Sequence, residues 1–300
     1  MRLVSFDNGR IGVVHEGHVF DVSDVAGVVP GTWPPVGMVR AIAQWETLRP
    51  ALLDAVRSGT GLALSEVRLE APVQWPNKVI AFPANYHAHI DEMKGVGTGV
   101  ISSFKASGQG FFLKANSSLS GPADAIVLPP LAGREIHHEC ELGIIIGKRG
   151  RGVSHADSRS YVFGFTCLLD MVVRGKEERV MRKSYDTFCP TGPWITTADE
   201  IADFDNIEMR LRVNGEERQS ASTRNLIVNI PDMIAMSSAV MTLEPGDIIA
   251  SGTPAGVGPV EDGDVIEIEI DGVGSMRLPV RRGTVGDHAV WDNEKVGLAV

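Results

Sequence analysis

Cysteine is scarce in this chain. Cys140, Cys167 and Cys189 are the only three in 300 residues, and none stands in C-x-x-C spacing. That argues against a disulfide framework and against a thiolate zinc site. Cys167 stands beside Leu168 and Cys189 between Phe188 and Pro190, and the three read as core thiols in a reducing compartment. Long apolar runs are lacking as well. No window approaches 18 apolar residues, and the opening "MRLVSFDNGRIGVV" alternates apolar with polar residues instead of following a basic stretch with an apolar one. Neither a membrane span nor a secretory leader is expected, and the expected setting is cytoplasmic. Positive charge is outnumbered, with 28 Lys and Arg against 38 Asp and Glu, a net charge of −10 and a pI near 5.3. Phosphate neutralisation needs clustered Lys and Arg, so the expected partner is a small molecule and not nucleic acid. No low-complexity tract and no solenoid period is present.

What is there is mostly strand. Around Asp7-Asn8-Gly9, a turn signal, lie short β-rich runs, and a helical stretch with Leu48, Leu52, Leu53 and Val56 at three-to-four spacing follows. "LEAPVQWPNK" is a proline-punctuated link, which sets a small β-rich N-terminal domain at 1–70 and a larger domain at 71–300. In the larger part "KVIAF", "FFLK", "AIVLP", "CELGIIIG", "VFGFTCLLD", "IEMRLRVNG", "GDIIASGTP" and "VIEIEID" read as strands separated by Gly or Pro turns. Helices are expected over 155–161, 171–182 and 231–241. The expected class is α+β and β-rich, a sandwich or distorted barrel with helices outside.

Two Glu-x-Glu patterns invite comparison. In "VIEIEID", Glu267 and Glu269 alternate strictly with isoleucines, as a half-solvated antiparallel strand does, and both read as solvated. In "EIHHECELGIIIGKRG", Glu139 and Glu141 also share a strand face, with Cα atoms about 7 Å apart. They run instead into Leu142, Ile144, Ile145 and Ile146, a continuous apolar stretch that implies burial on both faces. Carboxylates so close at such a place need a cation, or each raises the other's pKa. Asp170 ends the next apolar run, "YVFGFTCLLDMVV", and is either a helix N-cap or a ligand. Three such oxygen donors suit Mg²⁺ or Mn²⁺ better than Zn²⁺. His137 and His138 read as structural or supporting residues, only His137 sharing the face of Glu139. In "NYHAHIDE", His89 and Glu92 stand one helical turn apart, a spacing that can hold an imidazole in one tautomer for proton transfer. The Gly- and Ser-rich stretch 94–110 after it reads as a mobile lid or as an ordinary surface loop.

"FFLKANSSLSGPADAIVLP", "IHHECELGIIIGKRG", "CLLDMVVRG", "RKSYDTFCPTGPW", "VNGEERQ" and "LEPGDIIASGTPAGVGP" resemble, in this order, the successive blocks of the fumarylacetoacetate hydrolase family. The resemblance runs over about residues 77 to 285 and is nearest to the acylpyruvase and oxaloacetate decarboxylase type. It implies a distorted β-sandwich or barrel catalytic domain and a site for Mg²⁺ or Mn²⁺ made of Glu139, Glu141 and Asp170. It further implies that Lys183 reaches toward the substrate, that Thr253 binds a substrate oxygen, and that Arg174 contacts the substrate. His89 and Glu92 match the family's catalytic dyad, on a segment that orders over the substrate, while His87 falls at a variable position.

The implied activity is hydrolysis of the C–C bond of a 2,4-dioxo acid such as fumarylpyruvate, giving pyruvate and a carboxylic acid. Oxaloacetate decarboxylation or dienol isomerisation through the same enolate is the alternative, and a non-catalytic dicarboxylate-binding member is a second. A homodimer is implied too. The chain departs from the resemblance at Ala84, where relatives often have Arg, at Gly175, where they have Asp, and at Glu177, where acylpyruvase-like members have Gln.

Overall fold

The computed structural model describes residues 1–95 and 106–284. The expected lid at 94–110 falls for the most part on 96–105, outside the described residues. Strands gather in three sheets, the largest of 12 strands. At its centre Cys140–Ile146 pairs antiparallel with Val162–Leu169 on one side and with Ile248–Ala250 on the other. A five-stranded sheet built around Glu208–Val213 and Val265–Ile270 lies against it, and Leu142, Ile144, Phe165 and Cys167 share one core with Met209, Leu211, Ile266 and Ile268. This is a sandwich of two mostly antiparallel sheets, as the strand-rich pattern predicts.

The central strand is buried at every position because it has a core on each side. Cys140, Leu142, Ile144 and Ile146 face the sandwich interior. Ile145, on the other face, packs with Phe163, Ile248 and Ala250 and with Leu3, Ile11, Val13 and Ile42 of the N-terminal segment. Two cores explain why the run shows no alternation. The N-terminal segment is hydrogen-bonded into the same sheet: Arg2–Phe6 pairs with Cys189–Thr197, and Arg10–His15 and His18–Asp21 extend it outward. Helices Gly37–Ala43 and Trp45–Ser58 cover this extension, and Val4, Phe6, Val14 and Val19 form a small core on its far side. The turn at Asp7-Asn8-Gly9 forms with all three residues at positive φ.

Helix Ile230–Val240 starts as its sequence requires, with the Asn229 side chain accepting from the Asp232 N–H and Pro231 in the first turn. The helix expected over 171–182 is corrected. Only Arg179–Arg182 is helical, and Val172–Val173 pairs with Ile136–His138. Met171, Val172 and Val173 are all buried, so a helix there would have had no polar face. The nine-residue strand Cys189–Thr197 forms despite Pro190 and Pro193, a residue type that strands rarely tolerate. Pro193 lies where the pairing with Val162–Leu169 shifts register, so no ladder bond is lost to it. Glu267 and Glu269 lie on the outer face of their strand, beside Arg277 at 3.3 Å and Arg212 at 3.6 Å, as alternation predicts. Among the described residues no helix is long and apolar enough to cross a membrane.

Two-sided burial has a measurable consequence. Leu142→Ala is expected to lower unfolding free energy by about 2–5 kcal/mol, whereas Glu267→Ala stays within about 0.5 kcal/mol of the parent. Urea denaturation of both variants checks this, and similar midpoints for the two would contradict the assignment of faces.

Candidate metal centre and active site

The sheet register itself gathers the carboxylates. Cys140 stands opposite Leu169 and Glu141 opposite Leu168. One step further the Asp170 N–H donates to the Glu139 carbonyl at 3.0 Å, so Asp170 stands across from Glu139. Residues opposed in an antiparallel pair share a face, and so do residues two apart on one strand. Glu139, Glu141 and Asp170 therefore converge, with ligand oxygens all within 4.8 Å of one another, at 8%, 2% and 1% exposure. Asp170 does not cap a helix, since the chain enters a strand after it.

Two lysines answer three acids. Lys183 Nζ donates to Glu139 at 2.7 Å and to Asp170, and Lys114 Nζ donates to Asp170 and to the carbonyls of Lys183 at 2.7 Å and Phe188 at 3.3 Å. Burial opposes the Lys183 charge, but Asp170, Glu139 and Glu141 outweigh it and hold its pKa above the ordinary value. Burial likewise pushes Glu139 up, yet Lys183, Arg174 and His89 bring it down to about 2. Glu141 is left over. Among the described residues its hydrogen bond is to the Gly252 N–H at 2.8 Å, and burial together with the Asp170 charge drives its pKa well above the usual carboxylate range. Three carboxylates facing two ammonium groups leave Glu141 without a counter-charge, so in the absence of a cation it is held as the neutral acid, at a cost. An all-oxygen cluster of this kind fits Mg²⁺ or Mn²⁺.

The dyad comes from a separate stretch of the chain. His89 and Glu92 share one face of helix His87–Gly95, with His89 Nδ1 at 3.0 Å from Glu92 Oε2. A carboxylate partner makes Nδ1 the protonated nitrogen and leaves Nε2 with a free lone pair. Glu92 also accepts from the Gly256 N–H at 3.0 Å, and although burial raises its pKa, these two hydrogen bonds bring it below the ordinary value. Just before the helix, the fully buried Asn85 side chain donates to the carbonyls of Val228 and Ser251 and accepts from the Val228 N–H. The loop 251–257 thus touches a metal-site carboxylate through Gly252 and the dyad through Gly256. Gly252 has φ +87, and a Cβ there would come within 2.6 Å of the Asn85 Cβ.

One cavity of about 820 Å³ is lined by His89, Glu92, Glu139, Glu141, Asp170, Arg174, Lys183 and Thr253, so the structure brings all the expected site residues together. His137 also faces the cavity, accepting from Arg174 Nε at 3.0 Å and bonding Glu135 at 2.9 Å. His138 is buried against Gln219, and burial lowers its pKa to about 4. Glu177 makes a two-pronged ion pair with Arg134, at 3.0 and 2.8 Å.

Two contributors escaped the sequence reading. Lys114 ends the strand "FLK" as Asp170 ends its own apolar run, a charge closing an apolar stretch, and that was its available signal. Gln219 gave none. Its Oε1 accepts from Cys140 N–H and His138, while its Nε2 donates to Thr253 Oγ1 at 2.8 Å and to the Pro254 carbonyl.

Comparison with known proteins agrees with this arrangement. The sequence profile of the fumarylacetoacetate (FAA) hydrolase C-terminal family matches residues 78–281. The chain belongs to the fumarylacetoacetate hydrolase family. It is 40% identical over 286 residues to a maleylpyruvate hydrolase of Aquipseudomonas alcaligenes, covering 94% of this chain and 99% of the relative. A crystal structure of maleylpyruvate hydrolase from Sphingobium sp. SYK-6 in complex with manganese(II) and pyruvate is 52% identical, with a TM-score of 0.86, covering 95% of this chain and 100% of that one. A mitochondrial oxaloacetate tautomerase of Rattus norvegicus is 35% identical over 295 residues, covering 91% of this chain and 90% of the relative.

If the three acids are the metal ligands, Glu141→Ala loses measurable Mn²⁺ binding in calorimetry while its far-ultraviolet spectrum stays that of the parent. Unchanged Mn²⁺ affinity in that variant places the ion elsewhere.

Proposed function

We propose that this protein is a divalent-metal-dependent hydrolase that cleaves the C–C bond of an acylpyruvate, with maleylpyruvate or fumarylpyruvate as the type of substrate. The observation that carries this reading is one cavity lined by both the acidic cluster and the His89–Glu92 dyad. Similarity over nearly the whole chain to maleylpyruvate hydrolases supports it. The residues lining the cavity all lie beyond residue 81, which supports assigning catalysis to 71–300 and a supporting role to 1–70. Three buried free thiols support a cytoplasmic setting, and the family resemblance supports a homodimer.

Bound by Glu139, Glu141 and Asp170, Mg²⁺ or Mn²⁺ supplies Lewis-acid polarisation of the substrate's 2-oxo acid end. The chain's own groups do the rest. His89, held by Glu92 through Nδ1, takes a proton from water at Nε2, and the hydroxide formed attacks the carbonyl remote from the pyruvyl end. The C–C bond then breaks, its electrons pass to the pyruvyl half as an enolate, and the Lys183 ammonium offsets that charge. Protonation of the enolate carbon gives pyruvate. Because Gln219 Nε2 occupies Thr253 Oγ1 as an acceptor, the threonine's own proton is free to be donated to a substrate oxygen.

The rat relative favours a second reading, enolate chemistry on oxaloacetate without an attacking water. His89→Ala separates the two. Acylpyruvate hydrolysis should fall by about a hundredfold or more, the size of a lost general base, while any Mn²⁺-dependent decarboxylation of oxaloacetate falls much less. Parallel kcat/KM measurements decide. Equal losses would assign the dyad to the enolate's proton and remove the support for water activation.

A further inference from the structure

Arg179 and Arg182 bracket the short helix Arg179–Arg182, and both line the cavity. Their partners are neutral. Arg179 Nη2 donates to Gln109 Oε1 at 2.7 Å, and Arg182 donates to the carbonyls of Glu177 at 2.8 Å and Val173 at 3.3 Å. Among the described residues neither has a carboxylate within ion-pair distance. Of the nearby acids, Glu177 is taken by Arg134 and Glu139 and Asp170 by Lys183, while the exposed Glu178 acts on Arg179 only from beyond ion-pair distance. Arg174 differs, because it donates to His137, which in turn bonds Glu135. Burial depresses the pKa of both Arg179 and Arg182, and the Arg174 and Arg179 charges add to the effect on Arg182. Half-buried cations crowded together without counterions are unfavourable unless an anion joins them.

Phe112 fixes the scale. Arg179 Cζ lies 5.3 Å and Lys183 Nζ 5.6 Å from the centroid of its ring, so the two cations are no further apart than the sum of these distances, about 11 Å. An extended seven-carbon diacid spans about 7.5 Å between its carboxyl carbons, six bonds at about 1.25 Å each along an extended chain. Such a molecule reaches from the carboxylate cluster to the arginines without stretching.

The geometry points to a second anion subsite, in which Arg179 and Arg182 bind the terminal carboxylate of a 2,4-dioxo diacid and so select diacids over acylpyruvates with a neutral end. This rests on the acylpyruvate reading for the end held at the metal site. Arg179 and Arg182 are specificity residues here, remote from the bond that breaks. Guanidinium forks with unused N–H donors match the planar carboxylate.

The test separates the subsite from the hydrolase reading by measuring binding as well as turnover. With Mn²⁺ present, calorimetry compares 2-oxopimelate with 2-oxoheptanoate, which differ only in the terminal carboxylate. The parent protein is expected to prefer the diacid by about tenfold or more, as for a partly desolvated charge pair. Arg179→Met, which keeps an apolar side chain beside Phe112, should lose most of that preference, and so should Arg182→Gln. In turnover, the ratio of kcat/KM for fumarylpyruvate to that for acetylpyruvate should drop to the same extent, through KM. If both variants keep the parent's diacid preference, the subsite is wrong. If the preference exists and falls in the variants while no acylpyruvate is cleaved, the subsite stands and the hydrolase reading fails.

Discussion

Three carboxylates held on one face of a sheet, where two strands end against each other, are the constraint around which this molecule is organised. Glu139, Glu141 and Asp170 are brought together by antiparallel register alone, before any side-chain preference is consulted. Placing them there is expensive, because each is almost wholly removed from water. Lys183 and Lys114 offset part of the charge, and the remainder makes the site a receptor for a divalent cation. The same sheet positions supply rigidity: the carboxylates project from a strand with a hydrophobic core on each side.

Chemistry needs the dyad as well as the acidic cluster, and the loop 251–257 connects them. Its Gly252 N–H holds Glu141, its Gly256 N–H holds Glu92, and Thr253 is oriented by Gln219. Asn85 ties the start of the dyad helix to the same loop and to residue 228. Parts of the chain far apart in sequence thus meet through backbone amides and the buried carboxamides of Asn85 and Gln219. A shift at the dyad or the cluster is felt at the other because few of these groups have an alternative partner.

Much of this was legible in the sequence, for physical reasons that differ by residue. The contrast between Glu139-x-Glu141 and Glu267-x-Glu269 was readable because alternation reports one-sided burial and its loss reports burial on both sides. The sites of His89, Glu92, Lys183 and Thr253 came from ordered blocks resembling a family, since no local pattern distinguishes a catalytic His-x-x-Glu from a surface one. Lys114 and Gln219 were missed because their roles depend on partners 34 to 81 residues away in sequence. Strand Cys189–Thr197 is hard to read from sequence because Pro193 is tolerated at a register shift that only the pairing reveals. The helix expected over 171–182 failed because burial of 171–173 on all sides overrode a locally plausible pattern.

The central claim, that Glu141 is a buried acid without a counter-charge until a divalent ion binds, is tested most directly by thermal unfolding at neutral pH of the parent and of Glu141→Gln, each with and without Mn²⁺. The glutamine keeps a carbonyl oxygen for the Gly252 N–H and takes up no proton on folding. Without metal the variant should unfold at a higher temperature than the parent, by about 1–3 kcal/mol of relieved burial cost. With Mn²⁺ the parent should gain stability and the variant little. A metal-free variant less stable than the parent, together with a parent indifferent to Mn²⁺, would contradict the account.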